Sequence, residues 1–338
     1  MVKALALFSG GLDSSLAARL VLEQGVAVVA VHFHSVFTSR DDPDAKVAFI
    51  RNAAADLGVE VVIEDNSEEF LGLVKHPRYG HGRNINPCID CRIRNLRRAG
   101  EMMRDIGADF LVTGEVLGQR PMSQNRGAMD LVLRRSGLEG LVLRPLCAKR
   151  LAPTTPEQKG WVKREDLLEL AGRSRKPQME LAKRYGLRLY SSPAGGCLLT
   201  DPGFAARMRD LLEADPDCGI HDVILLKLGR HFRLSPKVKA VVGRERAEND
   251  ALESEAGFAD ILMEVVGRPG PVTLVRGPAG QDELNVADAL TMRYGKAAAL
   301  DRAKIRTWRP DAGRDSGNRF ETSPADPSLP DQLRIGGG

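Results

Sequence analysis

Ser9-Gly10-Gly11-Leu12-Asp13-Ser14, near the start of the chain, brings together the groups that hold a polyphosphate. Gly10 and Gly11 let backbone N–H groups approach an anion, and Ser9 and Ser14 add hydroxyl donors. Asp13 can hold a magnesium ion that bridges phosphate oxygens. No lysine follows the glycines, which separates this turn from the G-x-x-x-x-G-K-[ST] loop. A second reactive set is Cys88-x-x-Cys91, reached through a Gly- and Pro-punctuated stretch from His81 and followed by Arg92, Arg94, Arg97 and Arg98. A thiol at a helix N-terminus beside arginines is expected to ionise below its ordinary value of about 8.5, and thiolate is the form that binds metal or attacks sulfur. Cys197, in Gly195-Gly196-Cys197, supplies a third thiol on another glycine-rich loop. Zinc, with His76 and His81 as further ligands, an iron–sulfur cluster and a dithiol pair all remain open on spacing alone. Cys147 and Cys218 have no partner at motif spacing and read as structural.

The elements that must position these residues alternate. Residues 2–8, 26–33, 59–63 and 109–113 read as strands; residues 12–24, 45–57 and 91–105 read as helices, the last amphipathic and basic. Short strands are predicted at 131–134 and 141–143, helices at 164–171 and 177–185, and a turn-rich stretch at 191–196. Such alternation predicts an α/β fold, a doubly wound, mostly parallel sheet, with ligands beyond the carboxyl ends of its strands. The phosphate turn, His32 in the second strand and residues 113–119 all fall at such ends and should converge. His32 suits packing or a nucleotide edge, and Glu115 can reach magnesium or a ribose. The pattern then changes. Strands at 223–228, 240–242 and 272–274 and helices at 244–255 and 287–300 suggest a smaller α+β domain. The expected organisation is a catalytic domain over 1–212, a second domain over 213–310 and a disordered tail over 311–338, rich in Pro, Gly, Ser and Asp.

The 338 residues are 43% hydrophobic, enough for a sizeable core, and carry a formal charge of +4. No apolar run reaches the length of a membrane span and no signal-peptide pattern opens the chain, so a cytoplasmic protein is expected. Five cysteines, an odd number, argue against a disulfide framework. Basic residues cluster at 92–98, at Arg173, Arg175, Lys176, Lys183, Arg184 and Arg188, and again between Lys227 and Lys239, which points to a polyanionic partner such as RNA.

The Ser9–Ser14 turn resembles the S-G-G-x-D-S signature of the PP-loop ATP pyrophosphatases, whose fold is of the adenine nucleotide alpha hydrolase type. Asn86-Pro87 followed by Cys91, and Gly195 followed by Cys197, resemble the paired cysteine segments of PP-loop tRNA thiouridylases. Thr113-Gly114-Glu115-Val116-Leu117-Gly118-Gln119, with Ser123-Gln124 and Leu143-Arg144-Pro145-Leu146 beyond, is similar to stretches of the 4-thiouridine synthetases. Residues 213–310 resemble, through His221-Asp222-Val223 and Lys227-Leu228-Gly229-Arg230-His231-Phe232, the RNA-binding domain of the NFACT proteins. This chain shows neither the THUMP-type nor the rhodanese-like domain of the longer synthetases, and Cys88 is extra relative to persulfide-type 2-thiouridylases.

The resemblance implies a tRNA sulfurtransferase forming 4- or 2-thiouridine, with ATP, Mg2+ and a 4Fe–4S cluster as cofactors. Partners would be tRNA and a sulfur donor, a cysteine desulfurase or sulfide, with no membrane. It implies catalytic roles for Asp13, Cys91 and Cys197. ATP contacts would come from Ser9, Gly10, Gly11, Asp13, Ser14, His32, Gly114, Glu115 and Gln119; magnesium would sit on Asp13 and the cluster on Cys88, Cys91 and Cys197. A PP-loop ligase forming an amide or amidine, and a non-catalytic RNA-binding factor, are the alternatives. Amide formation uses no thiol, and an inert factor has no need of Asp13.

Overall fold

The computed structural model describes residues 1–38, 43–191 and 197–336. They form two compact units, Met1–Leu198 and Leu199–Gly338. The boundary thus falls before residue 202 rather than at 212: the helix at Pro202–Ala214, which buries Phe204, Ala205, Met208 and Leu211, belongs to the second unit. No helix among the described residues is long and apolar enough to cross a membrane.

The first unit alternates β1 (Lys3–Leu7), α1 (Leu12–Leu22), β2 (Ala27–His34), α2 (Pro43–Asp56), β3 (Glu60–Asp65), α3 (Ser67–Lys75), α4 (Cys88–Asp105), β4 (Phe110–Val112), α5 (Arg126–Ser136) and β5 (Val142–Leu143). The short α6 (Thr155–Gln158) and α7 (Lys176–Arg184) follow. The strands pair in parallel in the order β3-β2-β1-β4-β5. Along β1, Ala4 and Ala6 enter one apolar cluster and Leu5 the opposite one, so both faces are covered and the sheet is doubly wound as expected. The order reverses beside β1, between β2 and β4, which opens a crevice at their carboxyl ends. Residues 131–134 lie inside α5 and not in a strand: Met129 and Val132 are one helical turn apart and both buried, a period that a four-residue window conceals. The expected helix at 164–171 is a single 3-10 turn, Arg164–Asp166.

The second unit holds α8 (Pro202–Ala214), α9 (Ile220–Leu225), β6 (Arg230–Ser235), β7 (Val238–Val242), α10 (Arg246–Ser254), β8 (Ile261–Val265), β9 (Thr273–Arg276), α11 (Gln281–Arg293), β10 (Ala303–Trp308), β11 (Asn318–Thr322) and α12 (Leu329–Leu333). Its sheet is antiparallel, in the order β11-β10-β8-β9-β7-β6. Val238, Ala240 and Val242 face the apolar cluster that includes Ala287 and Leu290 of α11, and Val241 faces the other side. The strand expected at 223–228 is instead α9, in which an Asp222 carboxylate accepting from the Gly219 N–H (2.9 Å) caps the first turn. The tail expected to be disordered is ordered over its described residues. β11 completes the sheet edge, Ala325 is buried, and Leu329 and Leu333 pack on the core. Composition counts apolar residues but not the backbone hydrogen bonds of an edge strand, which is why it misjudged this stretch.

Candidate active site

The chain leaves β1 and turns through residues 8–11 into α1. Gly10 has φ +66°, and a Cβ there would stand 2.7 Å from Ile50 Cδ1, which accounts for glycine at this position. The Ser14 hydroxyl closes the turn. It accepts from the Ser9 N–H (3.2 Å), donates to the Gly11 carbonyl (2.9 Å) and lies 3.1 Å from the Ser9 hydroxyl. No side chain caps α1, so N–H groups of its first turn stand ready for an anion. Ser191 donates its N–H to the Gly10 carbonyl (2.8 Å) and forms a parallel bridge with Gly11. Residues 192–196, with Gly195 of the expected Gly195-x-Cys197 segment, lie outside the described residues.

Asp13, on the first turn of α1, is held from two sides. Its Oδ2 accepts from Gln119 Nε2 (2.7 Å) and Arg175 Nη2 (3.2 Å), and Gln178 Nε2 in turn donates to Gln119 Oε1 (3.0 Å). Asp13 Oδ1 is buried with no hydrogen-bond partner among the described residues. An orphaned, anchored carboxylate oxygen at an uncapped helix N-terminus has the donor chemistry of a magnesium ligand, so Asp13 fits that ion.

Residues 113–119 join this turn to the cysteine helix. A Cβ at Gly114 would stand 2.6 Å from the backbone of Asp13 and Ser14, so glycine lets the two segments cross. Glu115 is buried. Its Oε1 pairs with Arg92 of α4; its Oε2 accepts from Arg144 Nε (2.7 Å) and from the Thr113 hydroxyl (3.3 Å). Both carboxylate oxygens of Glu115, expected at magnesium or a ribose, are thus engaged by protein donors. Burial lowers both Arg92 and Arg144 to about 10. Gln119 and Gly114 likewise meet Asp13 itself. His32 donates its Nδ1–H to the Phe8 carbonyl (2.8 Å), burial lowers it to about 4, and its buried Nε2 has no partner among the described residues. A neutral imidazole of that kind presents one acceptor, suited to an amino edge.

Cys88 and Cys91 occupy the first turn of α4, three residues apart and so on one face. Asp90 pins the preceding loop by accepting from the Arg78 N–H (3.2 Å) and Tyr79 N–H (3.1 Å), and Cys88 Sγ donates to Asn86 Oδ1 (2.8 Å). The expectation of acidified thiols is overturned. Burial raises Cys88, and it raises Cys91 to about 11 although Arg92 pulls both the other way. Desolvation of the thiolate outweighs a guanidinium already neutralised by Glu115. His81 Nε2 lies 3.0 Å from the Val74 carbonyl, and no group of three His, Cys, Asp or Glu side chains is assembled for a metal ion among the described residues. The thiols therefore supply two soft donors from one helical turn and fall short of the three-cysteine set in the geometry described.

The basic clusters are largely spoken for. Arg94 pairs with Glu69, Arg98 with Glu64 (2.7 Å) and Glu101 (3.2 Å), and Arg97 donates to the Arg135 carbonyl (2.6 Å). Arg233 and Lys239 pair with Asp210, and His231 is buried. By contrast, Arg173, Lys176, Lys183, Arg184 and Arg188 are exposed. Reasoning from sequence missed the roles of Arg92, Arg144 and Arg175. Arg92 adjoins Cys91 and Arg144 stands in a singled-out stretch, but no local signal links Arg175 to a carboxylate 162 residues away.

Residues 1–150 match the family model described as thiamine biosynthesis protein (ThiI), and residues 229–327 match that of the NFACT protein RNA binding domain. A tRNA-specific 2-thiouridylase of Syntrophotalea carbinolica is 39% identical over 113 residues, 31% of this chain and 32% of that protein. A probable tRNA sulfurtransferase of Staphylococcus aureus is 33% identical over 121 residues, 35% of this chain and 28% of that one. The chain thus spans about a third of the length of these curated relatives. A crystal structure of a 4-thiouridine synthetase–RNA complex with bound ATP covers 67% of this chain and 52% of its own, at 20% identity and a TM-score of 0.39. The two family matches bear out the recognition of a PP-loop, thiouridylase-type N-terminal region followed by an NFACT-like region.

Proposed function

We propose that this chain is an ATP-dependent tRNA sulfurtransferase that forms 4- or 2-thiouridine. One observation carries the reading: residues 113–119 touch the phosphate-binding turn through Gly114 and Gln119 and the cysteine helix through Glu115 and Arg92. Activation of a carbonyl and delivery of sulfur are thereby tied into one site. A uracil oxygen leaves poorly as oxide, and it leaves well as AMP. The uracil oxygen attacks the α-phosphorus of ATP, and pyrophosphate departs. The N–H groups of the turn at Gly10 and Gly11, the hydroxyls of Ser9 and Ser14 and the N-terminus of α1 stabilise the charge that builds on it. Asp13 would hold a magnesium ion, which would supply neutralisation of the phosphate charge. His32, through Nε2, would accept from the adenine amino group.

Sulfur then replaces the activated oxygen. A persulfide on Cys197 attacks the ring carbon and AMP leaves with the oxygen. The Cys91 thiolate attacks the Cys197 sulfur, releasing the thiobase and forming a Cys91–Cys197 disulfide, which a thiol reductant reopens. The two cysteines can exchange these roles; a cysteine desulfurase recharges the reopened thiol by transferring its persulfide sulfur, and sulfide recharges it by attacking the Cys91–Cys197 disulfide directly, which leaves one cysteine as persulfide and the other as thiolate. A second reading rests on Cys88, a third thiol beside Cys91: Cys88, Cys91 and Cys197 would together hold a 4Fe–4S cluster, which supplies a soft site for sulfide.

Nucleoside analysis of tRNA after incubation with ATP, magnesium and a sulfur donor tests the reading. Thiouridine formed with stoichiometric pyrophosphate supports it. Pyrophosphate release without thiouridine, retained in both Cys91→Ala and Cys197→Ala, would instead favour an amide-forming ligase. Iron and sulfide analysis after anaerobic purification separates the readings: about four irons per chain supports the cluster, and iron-free active enzyme supports the persulfide.

A further inference from the structure

The second unit contains a polar recess of about 470 Å3 between α11 and the edge strand β11, lined in part by Asp288, Asn285, Arg302 and Glu321. Asp288 is 6% exposed, and its Oδ1 has no hydrogen-bond partner among the described residues. Proteins bury a carboxylate against donors, because removing it from water unpaired is strongly unfavourable. Here burial alone raises the Asp288 carboxyl to about 7. Gln281, also lining the recess, donates to Asn285 Oδ1 (2.9 Å) instead. The same recess carries the exposed guanidinium of Arg302.

A bare cation is disfavoured by Arg302, and a phosphate is disfavoured by Asp288 and Glu321. A neutral ring that presents donors and an acceptor along one edge satisfies both signs at once. Guanine does so, with N1–H and N2–H2 as donors beside O6 as acceptor. Adenine and uracil each lack such a pair of adjacent donors. Recognition of unpaired bases by their Watson–Crick edges is the common mode for single-stranded RNA. We propose that this recess binds one unpaired guanine of an RNA, with N1–H and N2–H2 on the Asp288 carboxylate and O6 toward Arg302. The proposal rests on the reading of this chain as an RNA-acting enzyme and adds a base-specific contact to it.

The test is fluorescence anisotropy of the full chain with a short uridine oligomer carrying one central guanosine, against the all-uridine oligomer. The guanosine oligomer is expected to bind roughly tenfold tighter, within the range of a two-bond base contact. Inosine, which lacks the N2 amino group, should lose part of that preference. Asp288→Asn and Arg302→Met should each abolish it while binding the all-uridine oligomer as the parent does, with melting temperatures that exclude a folding defect. Equal affinity of the parent for the two oligomers, or an unchanged preference in Asp288→Asn, overturns the guanine site alone. Displacement of the guanosine oligomer by GMP at equal concentration overturns the RNA assignment in favour of a free nucleotide. Asp13→Ala should keep the guanosine preference, so a failure of thiolation leaves this result standing. Failure of every oligomer to bind overturns the site together with the RNA reading.

Discussion

Asp13 in the first unit and Asp288 in the second each bury a carboxylate oxygen that has no hydrogen-bond partner among the described residues, yet their surroundings differ. Asp13 stands at a helix N-terminus, its other oxygen fixed by Gln119 and Arg175. Asp288 sits mid-helix in a recess, and burial is the cause of its raised value of about 7. A carboxylate anchored by an arginine and an amide is aimed and suits a metal ion at a polyphosphate. A carboxylate without such an anchor suits a ligand that brings its own donors. The same contrast runs through the arginines. Arg92 and Arg144 converge on Glu115 at the strand ends that line the crevice, whereas Arg276 bonds Asp260 (2.6 Å) and Asp222 (2.6 Å) and so ties β9 to α9 within its own unit. Charge positions a site in the first unit and chiefly braces a sheet in the second.

The contrast is broken most sharply at Glu115. Glu115→Ala leaves the buried Arg144 and half-buried Arg92 guanidinium groups without their carboxylate and should cost about 3–5 kcal/mol in chemical denaturation. If stability were unchanged, the network would not brace the crevice. Asp13→Ala should reduce pyrophosphate release with tRNA by roughly 100- to 1000-fold without comparable loss of stability, measured by a coupled pyrophosphate assay. Gly114→Ala forces a methyl to within 2.6 Å of the Asp13 backbone and should cost about 1–3 kcal/mol and weaken ATP binding, read by melting and calorimetry. The smallest effect concerns pH. The folded Asp288 carboxyl titrates near 7 against an ordinary value of 3.8, so between these values the folded state holds a proton that the unfolded chain has released. Stability should therefore fall as pH rises through that window, by about 1–2 kcal/mol once the open side of the recess is allowed for. Arg302 and Glu321, the charged neighbours in the recess, act in opposite senses on it. Asp288→Asn should flatten this dependence; a parallel profile in the variant would assign it to other groups.

Legibility from sequence followed the range of the cause. The glycine turn was readable because its strand, glycines and helix are contiguous. The thiol pair was readable as a motif, and its acidity was misjudged, since desolvation of Cys91 depends on what packs around α4 and not on the neighbouring arginines. Residues 220–225 carry apolar types common to strands, and the Asp222 cap decided for helix. Arg175 could not be placed on Asp13 from sequence, because the bridge of Leu117 with Ala171 that brings its segment near is a tertiary pairing.

Sequence alone determined which groups are present and the local backbone they demand: glycines where φ is positive or chains cross, alternating elements that build a parallel sheet, and thiols at a helix start. Tertiary structure alone decided which charges meet, which remain solvated and which carboxylate oxygens stay unpartnered. The physical reason is that local conformation depends on neighbours a few residues away, whereas desolvation and ion pairing depend on everything packed within a few ångströms, whatever its place in the chain.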